Sequence, residues 1–244
     1  MRDFKEEIQA RVQFIQKLLA EAGAKGIVFG NSGGKDSALV GILCKLACPA
    51  VLGVMLPCGT EQNYGQDMQD ALALSEQYDI EALVIDLTKT KVELQQAIEQ
   101  SGQVVSKEAA VNLAPRLRMS SLYAVAQSRG YLVAGTGNRS ERYMGYYTKW
   151  GDGAFDFNPI ADLTVMEVYA FLEFLKAPKT IIDKAPSAGL FPGQTDEQEL
   201  GIVYRDLDRY LLTGEGSPEE ILKYEKAYQR SAHKRQLGRV FSDK

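Results

Sequence analysis

Short apolar runs alternate with stretches of helical periodicity through the first two thirds of the chain. "GIVFG" (26–30), "AVLGVML" (50–56), "IEALVID" (80–86) and "YLVAG" (131–135) have the length and near-continuous apolar character of buried parallel strands. Between them the spacing of apolar residues predicts helices over 37–47, 61–78, 89–100 and about 108–129, with Pro115 placed to interrupt or open the last. This alternation predicts an α/β fold, a doubly wound parallel sheet with helices on both faces. From about residue 164 the pattern turns mainly helical ("VMEVYAFLEFLK", "ELGIVYRDLDRYLL", "SPEEILKYEKAYQRSAHKR"), and Ser217 and Pro218 mark a helix start. The expectation is one domain: an N-terminal amphipathic helix (1–24), an α/β core (25–163) and a helical cap or interface segment (164–244).

Composition narrows the class. The chain has 244 residues, 45% hydrophobic and 25% charged, which is globular. A net charge of −4 lacks the basic footprint of a nucleic-acid binder. Apolar runs such as "ALVGILCKLA" are too short to span a membrane, and the acids of "MRDFKEEIQARVQFIQKLLAEAG" fit neither a signal nor a transit peptide. Cys44, Cys48 and Cys58 have no zinc-finger spacing and read as reduced thiols, so the expected location is the cytoplasm.

Ligands of such sheets bind beyond the carboxyl ends of the strands, where the loop at 30–36 and the segment from Thr136 both emerge. "GIVFGNSGGKDS" is not the G-x-x-x-x-G-K-[ST] loop of kinases and GTPases: Phe29 stands where the first glycine belongs, and Asp36 follows Lys35 where a hydroxyl belongs. Gly33 and Gly34 still let backbone N–H groups converge into an anion nest at a helix start, with Ser32 and Ser37 as hydroxyl donors. A carboxylate beside phosphate is repulsive unless a cation lies between them, so Asp36 implies Mg²⁺. The plainer reading, a glycine-rich turn with Asp36 capping a helix, stays open at this point.

Ser32-Gly33-Gly34-Lys35-Asp36-Ser37 resembles the S-G-G-x-D-S loop of the N-type ATP pyrophosphatases, which cleave ATP between the α- and β-phosphates. A second stretch, "GTGNRSERYMGYYTKWGDGAFDFNPIADLT" (135–164), resembles the signature of NAD synthetase within that superfamily. So do "NLAPRLRMSSLYAVA" (112–126), "PSAGLFPGQTDEQELG" (186–201) and "AHKR" (232–235). The resemblance implies a Rossmann-like ATP pyrophosphatase fold and a C–N ligase that uses ATP and Mg²⁺. It implies that ATP adenylylates the nicotinate carboxylate of nicotinic acid adenine dinucleotide, after which ammonia displaces AMP.

Position by position, the resemblance makes Asp36 and Glu141 the catalytic Mg²⁺ ligands. It makes Gly30, Asn31, Ser32, Gly33, Gly34, Lys35, Ser37, Thr136 and Ser187 the ATP-binding residues. It gives Arg118, Lys149, Asp156, His233 and Lys234 to the dinucleotide substrate, and it implies a homodimer. On their own, Arg118 reads as a solvated helix residue and His233 as a surface residue near a helix C-terminus. Because the chain before residue 30 reads as one amphipathic helix, the ammonia-dependent form is expected over the glutamine-dependent one. Two positions depart from the family pattern: Lys35 replaces an apolar residue or Gln, and Val165 replaces a lysine that the family uses on ATP. Lys35 is expected to supply the cation missing at Val165, to pair with Asp36, or simply to point into solvent from the loop. The alternatives are another amidating or tRNA-thiolating ATP pyrophosphatase, or a nucleotide-binding homologue impaired in catalysis.

Overall fold

A computed structural model describes residues 2–59, 64–184, 196–236, 238 and 241. Four strands, β1 (Gly26–Gly30), β2 (Val51–Met55), β3 (Glu81–Val84) and β4 (Tyr131–Ala134), form one sheet in the order β3-β2-β1-β4. Every pairing is parallel: Val28 lies opposite Leu52 and Val133, and Val54 lies opposite Leu83. The earliest strand is therefore central, and the chain crosses back over it to add β4. Side-chain alternation splits β1, β2 and β4 between two cores, whereas β3, expected as a buried strand, is at the sheet edge with Glu81, Ala82 and Val84 exposed. Ile27, Phe29 and Val51 face one side, with Ile15 of helix α1 (Phe4–Ala22) and Leu39 and Ile42 of α2 (Lys35–Ala47). Val28, Leu52, Val54 and Val133 face the other, beneath Ala114 and Ala126 of the long helix over Lys107–Arg129.

Helices α3 (Gln66–Gln77), α4 (Thr88–Gln100) and α5 (Lys107–Arg129) link the strands. α5 starts where Ser106 accepts from the Ala109 N–H and ends where Gly130 takes a left-handed conformation. Here the sequence expectation needs correction, because α5 runs unbroken through Pro115. Proline removes one ladder donor, yet the cap at Ser106 and the buried anchors Ala114, Pro115 and Ala126 hold the helix across it.

Beyond β4 come α6 (Arg139–Met144), α7 (Val165–Leu175), α8 (Lys179–Ile182), α9 (Asp196–Leu200), α10 (Tyr204–Thr213) and α11 (Pro218–Arg230). A 3-10 turn over Ala232–Arg235 follows. Capping boxes start three of these helices, at Asn138, Thr164 and Ser217. Val168, Phe171 and Leu172 of α7 are buried in the core shared by α1 and α2. Tyr204, Leu207 and Tyr224 instead form a third cluster with Met144 and Val165. The end of the chain thereby presses α6, which carries Glu141, against the mouth of the sheet.

Candidate active site

β1 ends at Gly30, and α2 begins five residues later with Gly34 as a cap that offers no side chain to the first helical N–H groups. Those donors, at the positive end of the helix, face the carboxyl edge of the sheet. Ser32 Oγ lies 3.1 Å from Ser37 Oγ and accepts from the Gly34 N–H, while Ser37 Oγ donates to the Gly34 carbonyl. Gly33 is required as glycine: its φ is +72°, and a Cβ would stand 2.1 Å from the Asp67 carbonyl oxygen. Asn31 is buried, its amide nitrogen donating to the Ala71 carbonyl at 2.9 Å and its oxygen accepting from the Gly33 N–H, which ties the loop to α3.

Behind the loop lies a cavity of about 680 Å³. Gly30, Asn31, Ser32, Gly34, Lys35, Asp36 and Ser37 line one end, and Thr136 and Glu141 face them from the segment after β4. Arg118 on α5 and Lys234 of the 3-10 turn reach the same space. Arg118 donates through Nε to the Leu56 carbonyl at 2.9 Å. Lys234 donates to the carbonyls of Gly145 and Tyr147, both at 2.7 Å.

Two carboxylates face each other at the loop end. Asp36 stands in the first turn of α2, Glu141 in the first turn of α6, and Asn138 joins them. Its amide nitrogen donates to Asp36 Oδ1 at 3.0 Å, while its oxygen accepts from the Glu141 N–H at 3.0 Å. Glu141 closes the capping box by accepting from the Asn138 N–H at 3.2 Å. Lys35 Nζ lies 2.6 Å from Asp36 Oδ2 and 3.7 Å from Glu141 Oε1. Burial and the neighbouring Asp36 push the Glu141 carboxyl well above the usual carboxylate range, with Lys35 opposing them. Burial also works against the Lys35 ammonium, but Asp36 and Glu141 outweigh it and raise its pKa. Of the expectations for Lys35, the ion pair with Asp36 is the one found, and the solvent-facing side chain is not: Lys35 is 6% exposed. Val165 is buried in the apolar cluster with Met144 and Tyr204.

Lys149, Asp156 and His233 lie apart from this cavity's lining. Lys149 donates to the His233 carbonyl at 2.5 Å and stacks its ammonium over Trp150. His233 is exposed. Asp156 is exposed beside the outer strand, accepting from the Val133 N–H at 2.7 Å and from the Tyr123 hydroxyl. Ser187 lies outside the described residues.

Sequence reasoning missed four residues. Asn138 was recoverable from its N-x-x-E capping box. Lys184, Asp67 and Asp70 were not, because only the fold joins them: Lys184 Nζ lies 2.5 Å from Asp67 Oδ1, 2.9 Å from Asp70 Oδ2 and 3.4 Å from the Gly33 carbonyl.

Hard carboxylate oxygens converging on one point suit Mg²⁺, which takes one or two protein carboxylates and completes its shell with water and substrate phosphates. The donor set fits. The convergence point, however, is where the Lys35 ammonium stands.

Comparison with known proteins agrees with this geometry. The family model described as NAD synthase matches residues 7–238. A protein named NH(3)-dependent NAD(+) synthetase from Carboxydothermus hydrogenoformans is 41% identical, covering 98% of each chain. Among solved structures, one described as NMN synthetase from Francisella tularensis superimposes with a TM-score of 0.91 at 38% identity, covering 98% of this chain and 99% of that one. The NH3-dependent NAD synthetase from Campylobacter jejuni, in complex with a nitrate ion, gives a TM-score of 0.79 at 30% identity over 99% of this chain and 100% of that one.

Proposed function

The chain belongs to the NAD synthase family, and from that premise we propose how its residues perform the reaction. The protein is an ammonia-dependent NAD synthetase, a C–N ligase with ATP as co-substrate. The nicotinate carboxylate of nicotinic acid adenine dinucleotide attacks the α-phosphorus of ATP, the bond to the β-phosphate oxygen breaks, and pyrophosphate departs. Ammonia then adds to the carbonyl carbon of the mixed anhydride; AMP leaves with the bonding pair, a proton is lost, and the amide of NAD remains.

The observation that carries this reading is the loop and helix start at Gly34–Ser37, which carries Asp36, facing Thr136 and Glu141 across one cavity. The uncapped N–H groups and the Ser32 and Ser37 hydroxyls hold the departing pyrophosphate oxygens. Thr136 adds a hydroxyl at the strand end. Arg118 and Lys234, both lining the cavity, balance the second anion. Asp36 and Glu141 would hold Mg²⁺, which would supply positive charge against the charge building on the phosphates. The protein provides no covalent nucleophile. The one histidine, His233, is exposed and apart from the cavity lining, so among the described residues no Ser–His or Cys–His pair reaches the cavity. Alignment of two bound substrates is worth up to roughly 7–11 kcal/mol.

Lys149, Asp156 and His233, which the family resemblance gives to the dinucleotide, lie apart from the cavity. A homodimer, whose second copy completes the site around them, accounts for that placement. No described helix is long and apolar enough to cross a membrane, and a cytoplasmic location goes with a reaction whose substrates are soluble metabolites.

A specific observation favours a second reading of the substrate. The chain superimposes more tightly on the protein described as NMN synthetase than on the one described as NAD synthetase. A mononucleotide acid presents the same carboxylate and lacks the adenylyl half, so the chemistry at Asp36 and Glu141 is identical. The test measures kcat/KM for both acids with ATP, Mg²⁺ and ammonium, following AMP and the amide product. Preference for the dinucleotide supports the primary reading, and preference for nicotinic acid mononucleotide replaces it with the second. Absence of amide from both acids refutes the amidation.

A further inference from the structure

We propose that Lys35 is a tethered cation that holds the point between Asp36 and Glu141 in the nucleotide-free enzyme and gives it up to Mg²⁺ when ATP binds. The inference rests on the carboxylate pair as the metal site and deepens that reading.

The geometry of the cluster argues for exchange. Asp36 and Glu141 are only about one sixth exposed, and two anions enclosed together are costly unless something positive lies between them. Among the described residues, the one cation within ion-pair distance of either is Lys35, itself 6% exposed. The other ionisable side chains that bear on this point are Asp196, Tyr169 and Tyr204, none of them a cation. The site is thus already filled from within the chain.

Magnesium binds oxygen at roughly 2.0–2.1 Å, and an ammonium hydrogen-bonded to Asp36 Oδ2 blocks that approach. Metal and ammonium therefore compete for one place. Lys35 can yield it without disturbing the fold, because it is the first residue of α2, has a four-carbon stem, and lines the same cavity as Gly34 and Ser37. Rotation about the stem carries Nζ from the carboxylates toward the phosphate position over the helix start. The Gln or apolar residue of the family pattern at this position carries no such charge. The consequence is that free enzyme binds divalent metal weakly, and metal enters together with ATP.

The experiment titrates Mn²⁺ into nucleotide-free protein, read by calorimetry and by the electron paramagnetic resonance of free Mn²⁺. The proteins are the wild type, Lys35→Gln, Lys35→Met, and Lys35→Gln combined with Asp36→Asn. Removing the competing ammonium should tighten Mn²⁺ binding by about ten- to a hundredfold in both single variants, the range of one charge-assisted hydrogen bond. The Asp36→Asn combination should abolish that gain. Metal-free ATP binding in EDTA should weaken about tenfold in the single variants, since the ammonium no longer meets phosphate. Unchanged Mn²⁺ affinity in Lys35→Gln and Lys35→Met overturns the inference and leaves the amidation reading intact. A gain that survives Asp36→Asn overturns it by removing the metal from this pair. If the Mn²⁺ gain appears as expected but the wild type forms no amide, the amidation reading falls and the exchange stands.

Discussion

The loop at 30–34 is flanked by two clusters of the same composition, each a lysine on two carboxylates. On one side Lys35 meets Asp36 and Glu141; on the other Lys184 meets Asp67 and Asp70. The difference lies in how completely each lysine is held. Lys184 reaches three oxygens, at 2.5, 2.9 and 3.4 Å, the last being the Gly33 carbonyl. Asp70 is 1% exposed and also accepts from Gln66. That is a clamp, fastening α3 to the glycine loop so that the first turn of α2 stays in place. Lys35 makes one hydrogen bond, at 2.6 Å, and its second carboxylate stands at 3.7 Å. Equal charges thus serve structure where every bond closes and chemistry where one is left loose.

The sharpest way to break the comparison is to neutralise either carboxylate of the Lys35 cluster. Asp36→Asn and Glu141→Gln should each lower kcat by about a thousandfold or more, since they remove the charge that organises the transition state. Their far-UV circular dichroism should match the wild type. Amide formation near the wild-type rate in either variant would refute the division between the clusters.

On the clamp side the balance should reverse. Lys184→Met leaves Asp70 buried without its cation and should cost about 2–4 kcal/mol of stability, read from the urea midpoint at constant slope. Its kcat should fall far less than that of Asp36→Asn once the protein is saturated with ATP. A Lys184→Met protein as stable as the wild type would show that the clamp holds nothing.

Asn138→Ala should have a smaller and mixed effect. The residue is fully buried and caps α6 while its amide steadies Asp36. Losing the cap should cost about 1 kcal/mol of stability. Losing the hydrogen bond to a charged group should cost a further ten- to a hundredfold, roughly 1.5–3 kcal/mol, in kcat/KM. Both losses should be seen in one protein, by denaturation and by initial rates. A variant that loses only stability would demote Asn138 to a cap.

These expectations also mark what the sequence could and could not carry. Strands at 26–30 and 131–135 were legible because a buried parallel strand is a short apolar run, and β1 occupies the whole of the first. The loop was legible because Gly33, Gly34, Asp36 and Ser37 are contiguous, so their chemistry needs no tertiary information. Pro115 misled because a proline inside a helix depends on burial around it, which no local pattern reports. The clamp was invisible for a similar reason: Lys184 lies 114 residues from Asp70, and only the sheet brings them together. Lys35 fell between. Its identity flagged an oddity, while its aim at the carboxylates came from the start of α2.

The smallest expected effect tests whether the cation of the loop cluster can be supplied from elsewhere. Lys35→Gln should lower kcat/KM for ATP by about ten- to a hundredfold, the worth of one charge-assisted contact with phosphate. Val165 is the first residue of α7, its N–H lies 3.4 Å from Ser140 Oγ, and Ser140 adjoins Glu141. Four residues on, Tyr169 lines the cavity from the same helix face. A lysine stem from position 165 therefore has a route along Tyr169 toward the carboxylate pair. The same stem must leave an apolar cluster in which Val165 is 1% exposed, and overpacking there should cost about 1–3 kcal/mol of stability. Adding Val165→Lys to Lys35→Gln should thus recover only a few-fold of kcat/KM, at a lower melting temperature. The double-mutant cycle decides. A coupling energy of zero means that position 165 cannot deliver charge to the site, and that Lys35 is irreplaceable because, of the two positions, only 35 grows from the first turn of α2.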